Sequence, residues 1–172
     1  VNADFEEPWT LVGSFSTPLP TIGTLYTWDV SLVDGGTYYV RVVSENDCGL
    51  TSSAITTIRV DKSGPSLAIS EPVTGSEICG TTTFSGTVTD GCGVEWFLEY
   101  RVPGGPWALI AVGGGGVVNC DFATWDTRTV PDGTYEVRLR ATDPCDNQNA
   151  IVRTYSVFNA GGCPREADLN GD

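Results

Sequence analysis

The chain has 172 residues, with 22 acidic against 9 basic side chains, no histidine, no methionine and 40% apolar residues, for a formal net charge of −13. That balance excludes a phosphate-neutralising role on nucleic acid or an anionic membrane surface, and missing histidine removes the commonest general base and nitrogen metal ligand. No apolar run approaches the roughly 18–20 residues of a membrane helix and no signal-peptide pattern opens the chain, so a mature, soluble piece with no membrane span is expected.

From the N-terminus, the first landmarks are Pro8-Trp9 and Thr27-Trp28-Asp29, followed by the turn Asp34-Gly35-Gly36-Thr37-Tyr38. Tyr38, Val40 and Val42 then alternate with Tyr39 and Arg41, the period-2 pattern of a strand with one face on a core. Cys48 follows, and Asp61-Lys62-Ser63-Gly64-Pro65 reads as a short linker. Beyond it, Val94, Trp96, Leu98, Tyr100 and Val102 alternate with Glu95, Phe97, Glu99 and Arg101. Turn signals separate the runs at Asp90-Gly91, Pro103-Gly104-Gly105, Gly113 to Gly116, Pro131-Asp132-Gly133 and Asp143-Pro144. Tyr135, Val137, Leu139 and Ala141 alternate with Glu136, Arg138 and Arg140, and no stretch shows a 3.6-residue period.

An internal repeat organises these elements. Thr27-Trp28-Asp29 returns as Thr124-Trp125-Asp126, the Asp-Gly-Gly-Thr-Tyr turn in a slightly shorter form as Asp132-Gly133-Thr134-Tyr135, Val40-Arg41 as Val137-Arg138, and Cys48 as Cys145, with the tryptophans, tyrosines and cysteines at an offset of 97. Pro8-Trp9 matches Pro106-Trp107 with a slip of one residue. A repeat this long is a whole small domain. The expected fold is therefore all-β, two tandem Ig-like β-sandwich modules, with an incomplete module over 1–61, a complete one over 62–159 and a tail over 160–172.

Each Asp-Gly-Thr-Tyr turn has the makings of a tyrosine corner: glycine supplies the turn, and the tyrosine opens the next strand with its hydroxyl reaching back to upstream backbone. Trp96 is expected at the centre of the second module. For Trp9, Trp28, Trp107 and Trp125 an aromatic-lined sugar site is the competing reading, but the repetition of Trp28 and Trp125 at one distance from the corner favours packing.

The second module resembles the Ig-like or fibronectin-III-like repeats of secreted bacterial surface proteins. The matching residues are Cys79-Gly80, Phe84 to Asp90, Trp125-Asp126 and Asp132 to Asp143; the resemblance covers about 66–158 fully and about 5–60 in part. It implies a spacer, an adhesive stalk or an accessory domain, located outside the cell or on its surface. The tail resembles the opening of a dockerin repeat, since Asp168, Asn170 and Asp172 have the 1, 3, 5 spacing of a calcium loop. Only the first five positions of such a loop are present, so calcium binding there is expected to be weak or absent. Asp90, Asp143 and Asp146 offer a second conceivable calcium set, with turn formation as the simpler role. Glu95 and Glu99 are a carboxylate pair, but i and i+4 on a strand share the face opposite Trp96 and Leu98, which reads as a solvated stripe and not a glycosidase site.

Six widely spaced cysteines in this composition point to an oxidising compartment and structural disulfides. The loops carrying Cys92 and Cys145 fall at one end of a sandwich, so these two are expected to pair, leaving Cys79 with Cys120. The second module spends about 30 residues, Ser66 to Glu95, on its first two strands, where the first module has only Val1 to Asp4, so the first is expected to lack those strands. Either upstream sequence is missing or another chain donates them, and head-to-tail donation between copies makes a filament. Cys48 and Cys163 then lie too far apart to bridge within one chain, and an intermolecular bridge between successive copies is expected. The leading function is a non-catalytic extracellular structural or adhesive module, a subunit of such a filament. A carbohydrate-binding or accessory module of a secreted hydrolase, with glycans as partners, is the alternative.

Overall fold

The computed structural model describes residues 8–15 and 23–161. It is all-β, and the chain divides into two compact units, Val1–Val60 and Asp61–Asp172. Among the described residues no helix is long and apolar enough to cross a membrane.

The second unit is a two-layer sandwich. One layer holds β3 (Ser66–Glu71), β5 (Thr81–Thr89) and β8 (Val117–Asp126), the numbering following on from β1 (Gly36–Glu45) and β2 (Thr51–Val60) of the first unit. The other runs in the order β4 (Glu77–Ile78), β10 (Gln148–Val157), β9 (Gly133–Thr142), β6 (Glu95–Arg101) and β7 (Ala108–Gly114). All pairings are antiparallel except β4 with β10. The chain thus switches layers between β3 and β4, where Gly75 N–H donates to Thr154 O and Ser156 N–H to Ser76 O.

The alternation in the sequence sets the core. Trp96 and Leu98 of β6, Tyr135, Val137, Leu139 and Ala141 of β9, and Phe84 and Val88 of β5 are all buried, while the residues between them face outward. Two glycines set how closely the parts approach. A Cβ on Gly86 would collide with the Ala68 carbonyl of β3, and one on Gly113 with the Trp96 indole. Gly86 also sits at an irregularity in the β5–β8 pairing.

The first unit carries, among the described residues, a single two-stranded sheet of β1 (Gly36–Glu45) and β2 (Thr51–Val60). Its register repeats that of the β9–β10 hairpin position by position: Gly36 pairs with Val60 as Gly133 does with Val157, and Glu45 with Thr51 as Thr142 does with Gln148. The connecting turns agree in detail. Asn46 N–H donates to Leu50 O and Asp143 N–H to Asn147 O, each at 3.0 Å, and Gly49 and Asp146 both take positive φ, 77° and 64°. In each turn the side chain of the first residue accepts from the cysteine N–H two residues on.

Burial does not repeat. Leu139 and Val137 are fully buried, whereas Val42, at the position of Leu139, is 50% exposed and Val40 only half-buried. Among the described residues, the hairpin repeats the geometry of the last two strands of the sandwich and no second sheet faces it.

Candidate functional site

The tyrosine corners form in both units. Tyr135 Oη donates to Pro131 O at 3.0 Å and Tyr38 Oη to Asp34 O at 2.8 Å. Each tyrosine ring meets its repeat-related tryptophan edge to face, Trp125 at 5.7 Å and Trp28 at 5.6 Å between centroids. Burial, with the nearby Tyr100 and Asp132, raises the Tyr135 hydroxyl above its ordinary range. The aspartates after the tryptophans match too, since Asp126 Oδ1 accepts from Arg128 N–H and Asp29 Oδ1 from Ser31 N–H.

The remaining tryptophans are also engaged. Trp107 carries the guanidinium groups of Arg101 and Arg138, each 4.2 Å from the ring centroid, and Trp9 carries Arg41 at the same distance. Trp96 lies in the core against Phe122. All five indoles are therefore buried or half-buried against protein groups.

Of the paired carboxylates, Glu95 is exposed as expected, but Glu99 is no solvated residue. Its side chain is 12% exposed and one oxygen, Oε2, accepts from Arg138 at 2.7 Å and Arg140 at 3.1 Å. Arg140 lies over Phe97, Arg138 over Trp107, and Arg101 pairs with Glu136 at 2.6 Å. A continuous ladder of ion pairs and cation–π contacts thus covers the outer face of β6 and β9. It was missed in the sequence because the signal, arginine at i and i+2 on one strand opposite glutamate on another, is visible only once the two strands are paired.

The cysteines depart from expectation. Cys79 is disulfide-bonded, but Cys120 carries a free, exposed thiol and is not its partner. The reason is register: Cys120 lies opposite Gly86, whereas Cys79 precedes Thr81, which pairs with Asp126 at the other end of β8. Five strand steps, about 17 Å, separate those ends, more than a disulfide spans. The Cys92–Cys145 bridge is not formed either. Both cysteines sit in Asx turns, with N–H groups donating to Asp90 Oδ1 and Asp143 Oδ1 at 2.8 Å, and the Cys92 thiol donates to Asp61 Oδ2 while Cys145 is exposed. Cys48 is an exposed thiol at the tip of the β1–β2 hairpin; Cys163, and with it the expected intermolecular pair, lies outside the described residues. So do Asp168, Asn170 and Asp172 of the calcium-like tail.

Asp143 proves to be a turn former: its buried carboxylate accepts from Cys145 N–H, Asn147 N–H and Asn147 Nδ2. Asp61, Asp90 and Cys92 bring one donor atom each within 4.8 Å of one another. Two carboxylates and a thiol do not match the six to eight oxygens calcium takes. The best-formed depressions among the described residues, over β5–β8 and over β9–β10, are open to solvent and hold no convergent catalytic set.

What remains is the hairpin of the first unit. In the second unit β9 lies between β10 and β6; in the first, β2 is the only strand paired with β1 among the described residues. Arg138 finds Glu99 across the β6–β9 boundary, whereas Arg41, its counterpart, makes no ion pair among the described residues. The Trp9 Nε1–H beside it is buried and finds no acceptor among the described residues. Val42 and Val43, on opposite faces of β1, are 50% and 54% exposed. Among the described residues β1 therefore has one strand neighbour, β2, where β9 has two.

Neither a protein-family model nor a curated protein matches the chain. Among solved structures, an endo-β-1,4-mannanase from Thermotoga petrophila is similar at 19% identity with a TM-score of 0.41, over 58% of this chain and 21% of that one. Dimeric latent PorU from Porphyromonas gingivalis is similar at 14% identity with a TM-score of 0.39, over 73% of this chain and 12% of that one. The chain therefore spans less than a quarter of either neighbour's length.

Proposed function

We propose that the chain is a non-catalytic structural or adhesive module, exported to the cell surface or beyond, and a subunit of a head-to-tail filament joined by completing the sheet of the first unit. The observation that carries this reading is the contrast between two hairpins of identical register. In β9–β10 the inward face is buried, and in β1–β2 it is half open. An uncovered sheet of this kind is aggregation-prone unless something completes it, and completion by another copy is a heterologous contact that propagates. The strongly acidic composition suits a solvated surface protein. The engaged tryptophans count against the carbohydrate-binding alternative, since stacking on a sugar needs an open ring face.

The test is the molar mass of the full chain by light scattering over a concentration series. Growth beyond a dimer with rising concentration is the expected result. A monomer throughout overturns the filament, and glycan binding at an intact tryptophan face would return the alternative.

A further inference from the structure

We propose that the disulfide of Cys79 is closed by Cys163, so that the chain is stapled to itself where its C-terminal tail leaves the sandwich. The staple does not depend on whether copies associate at the first unit. It assigns Cys163 within one chain, in place of the bridge to Cys48 expected from the sequence.

The sequence holds six cysteines, and Cys79 is disulfide-bonded. Cys48, Cys92, Cys120 and Cys145 are free thiols, which leaves Cys163 as its partner. The described residues bring the chain to the right place. β4 and β10 run parallel with Ile78 opposite Val157, so their ends leave the sheet side by side. Beyond that pair, Phe158 N–H donates to Ile78 O and Gly80 N–H donates to Asn159 Oδ1, each at 3.1 Å, one on either side of Cys79. The same Asn159 oxygen accepts from Thr127 Oγ1 at 3.0 Å. The Asp132 carboxylate accepts from the N–H groups of Asn159 and Ala160 at 2.8 and 3.1 Å. The backbone is thus pinned beside Cys79 as far as Ala160. At Gly161 it folds back over the Phe158 ring, so closely that a Cβ there would collide with it. The few residues from Ala160 to Cys163 reach roughly 10 Å when extended, enough to bring two Cα atoms within the roughly 4.4–6.8 Å of a disulfide.

Closure takes one hydrogen from each thiol; both electrons and both protons pass to a disulfide oxidant of the oxidising compartment, which is reduced to a dithiol. The loop it closes contains every strand from β5 to β10, so the bridge constrains the unfolded chain as well as anchoring the tail. The consequence for assembly is that Cys163 is held by its own sandwich. Copies that associate do so through other surfaces, and Cys48 stays a thiol.

The experiment uses the full chain, exported to an oxidising compartment and isolated without reductant. Its thiols are capped with N-ethylmaleimide in denaturant, and the product is cleaved with trypsin and an Asp-specific protease for mass spectrometry. The expected result is caps on Cys48, Cys92, Cys120 and Cys145, and a fragment holding Cys79 joined to 154–165, lighter by two hydrogens than the separate peptides. Cys163→Ser should open Cys79 to the cap. Non-reducing electrophoresis should show a single monomer band. A capped Cys163, Cys79 joined to any other cysteine, or a reductant-sensitive ladder through Cys48 overturns the proposal. A chain that is monomeric by light scattering with the 79–163 link intact supports the staple and removes only the filament.

Discussion

Each tyrosine corner ties a turn to a strand through one hydroxyl, so its loss is a clean measure of how much surrounding structure depends on it. Tyr135→Phe removes a hydrogen bond from a buried ring and should cost about 1–1.5 kcal/mol in urea unfolding of the second unit. Tyr38→Phe, made on a less buried ring, should cost about 0.5 kcal/mol or less. Equal losses would mean that the two corners are equally supported. Tyr155 gives a pH dependence. Its ring is buried, its hydroxyl donates to Pro72 O at 2.9 Å, and burial pushes its pKa up to about 12 from 10.0. Between those values the unfolded chain releases a proton that the folded chain keeps, so unfolding becomes easier as pH rises through that window. Stability should be flat below pH 10 as far as this group is concerned and fall by about 2 kcal/mol toward pH 12. Phenolate absorbance should show Tyr155 ionising with unfolding and not before; Tyr155→Phe should flatten the decline.

Among the elements, β6 and β9 do the most to define the second unit, inside through Trp96, Leu98 and Leu139, outside through the Glu99 ladder. Glu99→Gln leaves Arg138 and Arg140 side by side without their shared carboxylate, and a loss of about 1–2 kcal/mol is expected, larger than for an exposed pair. A double-mutant cycle with Arg138→Gln should show coupling, while the same cycle with Glu95 should show none. Where β5 meets β3, Gly86→Ala drives a methyl into the Ala68 carbonyl, which belongs to backbone and has little freedom to yield. Unfolding free energy should drop by about 1–3 kcal/mol, with the larger share in the unfolding rate if the β3–β5 contact forms late. The periodicity of β6 and β9 made their inward faces legible in the sequence. The β3–β5 approach was not, because a glycine in a strand looks the same whether or not a carbonyl lies against it.

At the scale of the molecule, two hairpins with the same register differ in what covers them, and their local stability should differ accordingly. Amides of β1–β2 should exchange much faster than their counterparts in β9–β10, with the largest contrast at Val42 against Leu139. Equal protection would show that the first unit is completed in solution by some other means. Thermal unfolding should resolve into a weak early transition for the first unit and a cooperative later one for the sandwich. Ligand or copy association at the open edge should move only the early transition.

The sequence by itself determined the all-β class, the repeat, both tyrosine corners and the inward faces of the strands, because strand period and turn chemistry are local properties that neighbouring residues specify. Only the tertiary structure decided which residues meet across strands. It set Cys120 opposite Gly86, five strand steps along β5 from Thr81 and the neighbouring Cys79, and it placed Glu99 between two arginines. Among the described residues it also left Arg41 and Val42 exposed, where their counterparts Arg138 and Leu139 are half-buried and buried. Register and layer order arise from pairing between distant segments, and nothing in the local pattern of either segment encodes the partner it will meet.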